Sequence, residues 1–94
     1  MSIAINIAST SSDVQVVTGR CVVTGWNLRE SAGTPAAAGA VLRNGTTTSD
    51  KPIARVNFAG DESAGESYAA GIVCEGGVFL DMESGSVEGE VYIR

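Results

Sequence analysis

Four carboxylate side chains near the end of the chain are spaced so that they could act together as a binding or catalytic site. Asp81 and Glu83 alternate with apolar residues in one run, and Glu88 and Glu90 do so in the next. Two such period-2 runs joined by Ser-Gly-Ser predict a β-hairpin, which would bring the four acids together. Converging carboxylates can bind calcium or act as general acid and base. Clean alternation with apolar residues also predicts a solvated sheet face, and the pattern favours that interpretation over either site.

Other catalytic sites lack their usual residues. The chain has no histidine, so it cannot build a Ser-His-Asp or Cys-His site. The stretch GDESAG has the wrong spacing for a nucleophile elbow, and Cys74 has no second cysteine at the spacing of redox pairs and zinc sites. No glycine-rich phosphate loop precedes Lys51. The sequence therefore predicts a protein that is not an enzyme, with no catalytic, cofactor-binding or metal-binding residues and no cofactor.

The two cysteines lie in separate apolar runs. In a reducing compartment, Cys21 and Cys74 are therefore expected to be buried free thiols, with a disulfide as the alternative.

The composition favours β structure for the elements that carry these residues. Valine and isoleucine number 17 against three leucines, and branching at Cβ suits a pleated sheet. Strand-like runs recur with turn signals every 8–12 residues. The predicted fold class is all-β, an antiparallel β-sandwich or jelly-roll-like barrel of about eight short strands in a single domain, residues 1–94. Residues 1–18 are expected to be mobile or to swap onto a neighbour.

Trp26 is the largest apolar side chain and is predicted to anchor the core. Period-2 alternation places it on one face with Val22, Thr24 and Leu28. The alternative is a platform on which a ligand stacks. The residues expected mainly inside are Val22, Trp26, Leu28, Val56, Leu80, Met82, Val91 and Ile93.

The charge is acidic and unevenly distributed. The net charge is −5, with +2 in residues 1–60 and −7 in residues 61–94. A nucleic-acid backbone is disfavoured as a partner because phosphates need clustered Lys and Arg. No apolar run approaches the roughly 18 residues of a membrane span, and the start of the chain lacks the pattern of a signal peptide. We expect an intracellular or particle-borne protein whose acidic surface faces water or a basic protein.

The apolar inventory is made of small side chains. Alanine and glycine supply 12 residues each, whereas Phe, Trp and Tyr together supply five. Such residues bury little apolar area, and each buried Å² stabilises the fold by roughly 25 cal/mol. A sandwich with this core is expected to gain burial by forming oligomers.

Three stretches, GWNLRESAGTPAAAGAVLRNGT, KPIARVNFAGDES and GGVFLDMESGSVEGEVYIR, carry a resemblance to a known class of proteins. Over residues 19–94 the chain resembles small β-sandwich virion proteins of tailed bacteriophages, namely capsid decoration (cement) proteins and related head-fibre or minor tail proteins. Residues 1–18 have no counterpart there.

The resemblance implies a non-enzymatic homotrimer that binds the major capsid protein and stabilises the head. It implies a location on the capsid surface of a virion assembled in the host cytoplasm, with no nucleic-acid or membrane partner. The alternatives are a tail or head-fibre subunit, or a carbohydrate- or calcium-binding β-sandwich module, which Trp26, Tyr68 and the paired acids would serve.

Overall fold

The strands fill most of the chain. A computed structural model describes residues 2–94 and contains, within that range, eight β-strands and no helix. The strands are β1 (Ile3–Thr10), β2 (Val14–Thr18), β3 (Cys21–Glu30), β4 (Ala38–Asn44), β5 (Lys51–Phe58), β6 (Ser63–Cys74), β7 (Gly77–Ser84) and β8 (Val87–Ile93). The predicted all-β class is confirmed. No helix in residues 2–94 could cross a membrane.

The strands form two antiparallel sheets of four. Sheet A has the order β1-β8-β3-β6 and sheet B the order β2-β7-β4-β5. The first strand pairs with the last, the second with the seventh, the third with the sixth and the fourth with the fifth. This nested pairing is the topology of an eight-stranded jelly roll. Only β4 and β5 are consecutive in sequence and adjacent in one sheet, so every other connection crosses between the sheets.

The core lies between the inner faces of the two sheets. Leu28, Leu80 and Val91 are almost completely buried there. Five of the residues predicted inside are buried, and two more pack against them in part: Trp26, Leu28, Val56, Leu80 and Val91, then Met82 and Ile93. The small residues Ala38 and Ala40 of β4 are buried in this core. The predicted core is therefore confirmed at these positions.

The prediction for Val22 is wrong. Val22 is half-buried, whereas its neighbour Val23 is 1% exposed. The pairing of β3 shifts register between Val23 and Gly25 on both sides, and the hydroxyl of the extra residue, Thr24, donates a hydrogen bond to the Tyr92 carbonyl at 3.2 Å. A one-residue bulge moves every side chain before it to the other face. The period-2 pattern that includes Trp26 therefore does not extend back to Val22.

The predicted hairpin at the end of the chain is also wrong. β7 belongs to sheet B and β8 to sheet A, so the turn at Gly85, with φ of 68°, carries the chain across the sandwich. In a hairpin the two strands would lie side by side and present their apolar residues to the same side. Because the chain crosses instead, Leu80 of β7 and Val91 of β8 lie in opposite sheets and pack into the same core.

The N-terminal segment belongs to the same sandwich. β1 pairs with β8, and β2 pairs with β7, so the described part of residues 1–18 supplies one edge strand to each sheet. Met1 lies outside the described residues.

Candidate functional site

The four carboxylates near the end of the chain do not converge. Asp81 is opposite Val41 in sheet B, and Glu90 is opposite Asn27 in sheet A. The two acid pairs face outward from opposite sheets, which stack about 10 Å apart in such folds. Within residues 2–94, no three His, Cys, Asp or Glu side chains are placed to hold a metal ion together. The expected convergence is wrong because it required the hairpin.

Each of these acids instead contacts an arginine on its own sheet. Arg29 bridges Glu88 at 3.0 Å and Glu90 at 3.4 Å on sheet A. Its pKa is raised, chiefly by the hydrogen bond to Glu88. On sheet B, Arg43 pairs with Asp81 at 3.0 Å, each side chain being 13% exposed.

Two further ion pairs follow the same arrangement. Arg55 pairs with Glu83 on sheet B, and Arg20 pairs with Glu75 beyond the end of β6. Five of the eight acids in residues 61–94 thus meet an arginine from the first part of the chain. Folding therefore offsets much of the charge asymmetry of the sequence.

Glu30 is a buried acid that no sequence motif reveals. Glu30 is 8% exposed, and its carboxylate accepts hydrogen bonds from the backbone N–H groups of Asp61, at 2.9 Å, and Ala32. Those bonds, the one from Asp61 first, lower the pKa of Glu30. The Glu30 N–H donates to the Glu62 carbonyl at 2.9 Å. Glu30 therefore ties the loop after β3 to the loop between β5 and β6. The one feature of the sequence that could have revealed this role is an acid at an inward-facing position, two residues after Leu28.

The two cysteines face each other across β3 and β6. Cys21 is directly opposite Cys74, and both are buried and free. Burial raises both pKa values, that of Cys74 to about 11. Because the thiolate is the reactive form, both are weak nucleophiles at neutral pH. The expectation of buried free thiols is confirmed.

A concave feature, the β5–β6 groove, is a cleft of about 540 Å³ at the open side of the sandwich. It lies between the inner sides of β5 and β6, each the last strand of its sheet among the described residues. Its lining residues are Trp26, Ile53, Ala54, Arg55, Val56, Asn57, Phe58, Ala64, Gly65, Glu66 and Tyr68. The groove is thus bounded by two strand edges.

Trp26 lies in the floor of this groove. Trp26 is 5% exposed, and its Nε1 donates a hydrogen bond to the Tyr68 hydroxyl at 2.9 Å. With its face packed and its only donor used, Trp26 is the predicted core anchor and not a stacking platform.

No family model, curated protein or solved structure matches this chain.

Proposed function

We propose that this chain is a non-enzymatic structural protein of a virion, a decoration subunit that binds the major capsid protein of a tailed phage and stabilises the head. The observation that carries the proposal is the placement of the charged side chains, which form ion pairs on the outer faces of the sheets. The carboxylates that could have formed a site are held by arginines on opposite outer faces, as in the Arg29 contacts with Glu88 and Glu90. The molecule therefore offers surfaces and strand edges to its partners.

The resemblance of the sequence to phage decoration proteins supports the same proposal. Its three stretches fall on β3 to β4, on β5 with the following loop, and on β7 to β8. These segments pair with one another through β3 with β8, β4 with β5 and β4 with β7. The resembling residues thus make up the centres of both sheets.

Assembly as a homotrimer is part of the proposal. Ile3 and Val73, on the edge strands β1 and β6, are 56% and 47% exposed. Large apolar side chains at strand edges gain burial when a second subunit covers them. Closed cyclic symmetry is the usual outcome for identical subunits, and a capsid lattice provides threefold positions.

The experiment combines light scattering with co-sedimentation on capsids of the encoding phage, across a salt series. We expect the mass of three subunits at every salt concentration and capsid binding that weakens with salt, because screening acts over about 8 Å at 0.15 M. A mass that stays at one subunit contradicts the trimer. Absence from purified virions by mass spectrometry contradicts the virion role. Imaging of labelled virions separates the head from the tail or head-fibre alternative.

A further inference from the structure

We infer that the β5–β6 groove binds an extended segment of a partner protein, in which apolar residues alternate with basic ones and which adds as a strand at the groove's edge. The inference rests on the proposed function only in taking the partner to be a protein of the same particle. It is carried by the floor of the groove, the free strand edges and the charge of the rim.

The floor of the groove is apolar. Val56 and Phe58 of β5, Ala64 of β6 and Trp26 line it, and three of these four are core residues at the margin of the sandwich. A strand laid along the groove points every second side chain into it. Pockets for alternate side chains are how strand-adding sites select their ligands.

The edges of the groove carry backbone groups with no strand beside them. The bond from the Glu30 N–H to the Glu62 carbonyl fixes which β6 residues face β3. Antiparallel alternation then directs the N–H and C=O groups of Ser63, Gly65 and Ser67 away from β3. All three residues are exposed. On the other edge, Pro52 is a residue that sheets tolerate only at their margins.

The charge at the rim of the groove is set by Glu66 and by the turn beside it. Glu66 lines the groove, opposite Trp26 on the inward side of β6. Asp61 and Glu62 lie outside the lining, in the turn that joins β5 to β6, and the Glu62 carboxylate accepts a hydrogen bond from the Ala59 N–H there. All three are exposed, and none of them is in an ion pair within residues 2–94. Arg55, on the opposite wall, is engaged by Glu83. The rim therefore favours basic side chains on the occupant.

A second copy of this chain fits the rim poorly. Among the described residues, the charged side chains that are neither buried nor in ion pairs are five acids and two bases: Asp13, Asp50, Asp61, Glu62 and Glu66, against Lys51 and Arg94. Another copy would bring a surplus of acids toward Glu66, and like charges brought together oppose binding. The occupant is therefore a basic segment of a different protein.

The test uses the isolated full-length chain and three synthetic ten-residue peptides. One alternates lysine with valine, the second replaces each lysine by glutamate, and the third repeats the first with a central proline. Trp26, the one tryptophan, reports binding by its fluorescence, and backbone amide shifts locate the peptide. We expect saturable binding of the first peptide only, weakened by salt, with shifts along β5 and β6. No binding, equal binding of the acidic peptide, or shifts along β1 and β2 would overturn the inference.

A matched pair of variants tests the rim. Glu66→Gln removes a carboxylate at the groove, and Glu75→Gln removes one beyond the opposite end of β6, where it pairs with Arg20. An exposed charge pair of ordinary strength predicts a roughly two- to fivefold weaker affinity for Glu66→Gln and no change for Glu75→Gln. Equal affinities for both variants and the wild type would contradict the role of the rim.

Strand addition is tested on the peptide itself. One lysine–valine peptide is N-methylated at its lysines and the other at its valines. The two peptides then differ only in which edge of the peptide strand loses its N–H donors. Strand addition predicts that one set abolishes binding and the other leaves it intact. Equal binding of both peptides contradicts strand addition. If no peptide binds and Glu66→Gln changes the number of subunits per assembly, the groove belongs to a second copy of the chain. These assays use no capsids, so their failure leaves the virion experiment to be judged separately.

Discussion

The indole Nε1 of Trp26 donates a hydrogen bond to the Tyr68 hydroxyl at 2.9 Å, and this bond joins β3 to a wide bulge in β6. Between the pairs Val23–Ile72 and Gly25–Ser67, residues 68–71 of β6 face only Thr24 of β3. The bulge brings Tyr68 to the groove, where it satisfies the donor of the buried indole. The tryptophan is thus both a core residue and part of the groove lining.

Truncation of Trp26 is expected to cost much more stability than removal of its hydrogen bond. Trp26→Ala leaves a cavity in the core and should lower the free energy of unfolding by about 3–5 kcal/mol. Tyr68→Phe removes only the hydroxyl and should lower it by about 0.5–1.5 kcal/mol. Urea denaturation followed by circular dichroism measures both. Equal losses would mean that the ring contributes little packing.

Glu30 is expected to make the protein sensitive to acid. Its folded pKa is lowered by backbone N–H groups, so its stabilisation is full above the unfolded pKa of about 4.3 and is lost as pH falls through the lower folded value. Glu30→Gln should be less stable than the wild type at pH 7, and the difference should shrink below about pH 4. Thermal melts from pH 2 to 7 measure this, with Glu75→Gln as the control. A difference independent of pH would contradict the carboxylate's role.

The cysteines are expected to be protected in the native protein. Burial raises both pKa values, that of Cys74 to about 11, so the reactive thiolate is scarce at neutral pH. Mass spectrometry after labelling should find two labels per chain in denaturant without reductant, and slow labelling in the native state that accelerates with pH. An unlabelled denatured chain would indicate a disulfide between Cys21 and Cys74.

Two glycines with positive φ make a matched pair for backbone strain. Gly19, with φ of 85°, has open space where the methyl group of an alanine would lie, whereas at Gly77, with φ of 102°, that methyl would meet the Val17 carbonyl oxygen. Gly19→Ala should cost about 1–2 kcal/mol from its left-handed conformation alone. Gly77→Ala should cost about 1–3 kcal/mol more because β2 and β7 must separate. Equal unfolding midpoints in urea would contradict this difference.

Local sequence patterns were enough to predict the fold class and most of the core. Branched residues at period-2 spacing predicted strands, and Leu28, Leu80 and Val91 lie inside as their alternation indicated. These features depend on neighbours a few residues away, because the pleat alone sets which side chains share a face. The buried thiols follow from the same local signal.

Which strands are neighbours and where the charges meet depend on long-range packing, which no local pattern encodes. Nothing in the run from Asp81 to Glu90 distinguishes a hairpin from a crossing between sheets, because both turns accept Ser-Gly-Ser. The outcome depends on packing: β7 and β8 each bury an apolar face, and lying in opposite sheets lets those faces meet in one core. That choice separated the four acids, paired Arg29 with Glu88 across 59 residues of sequence, and left β5 and β6 as the open edges of the groove.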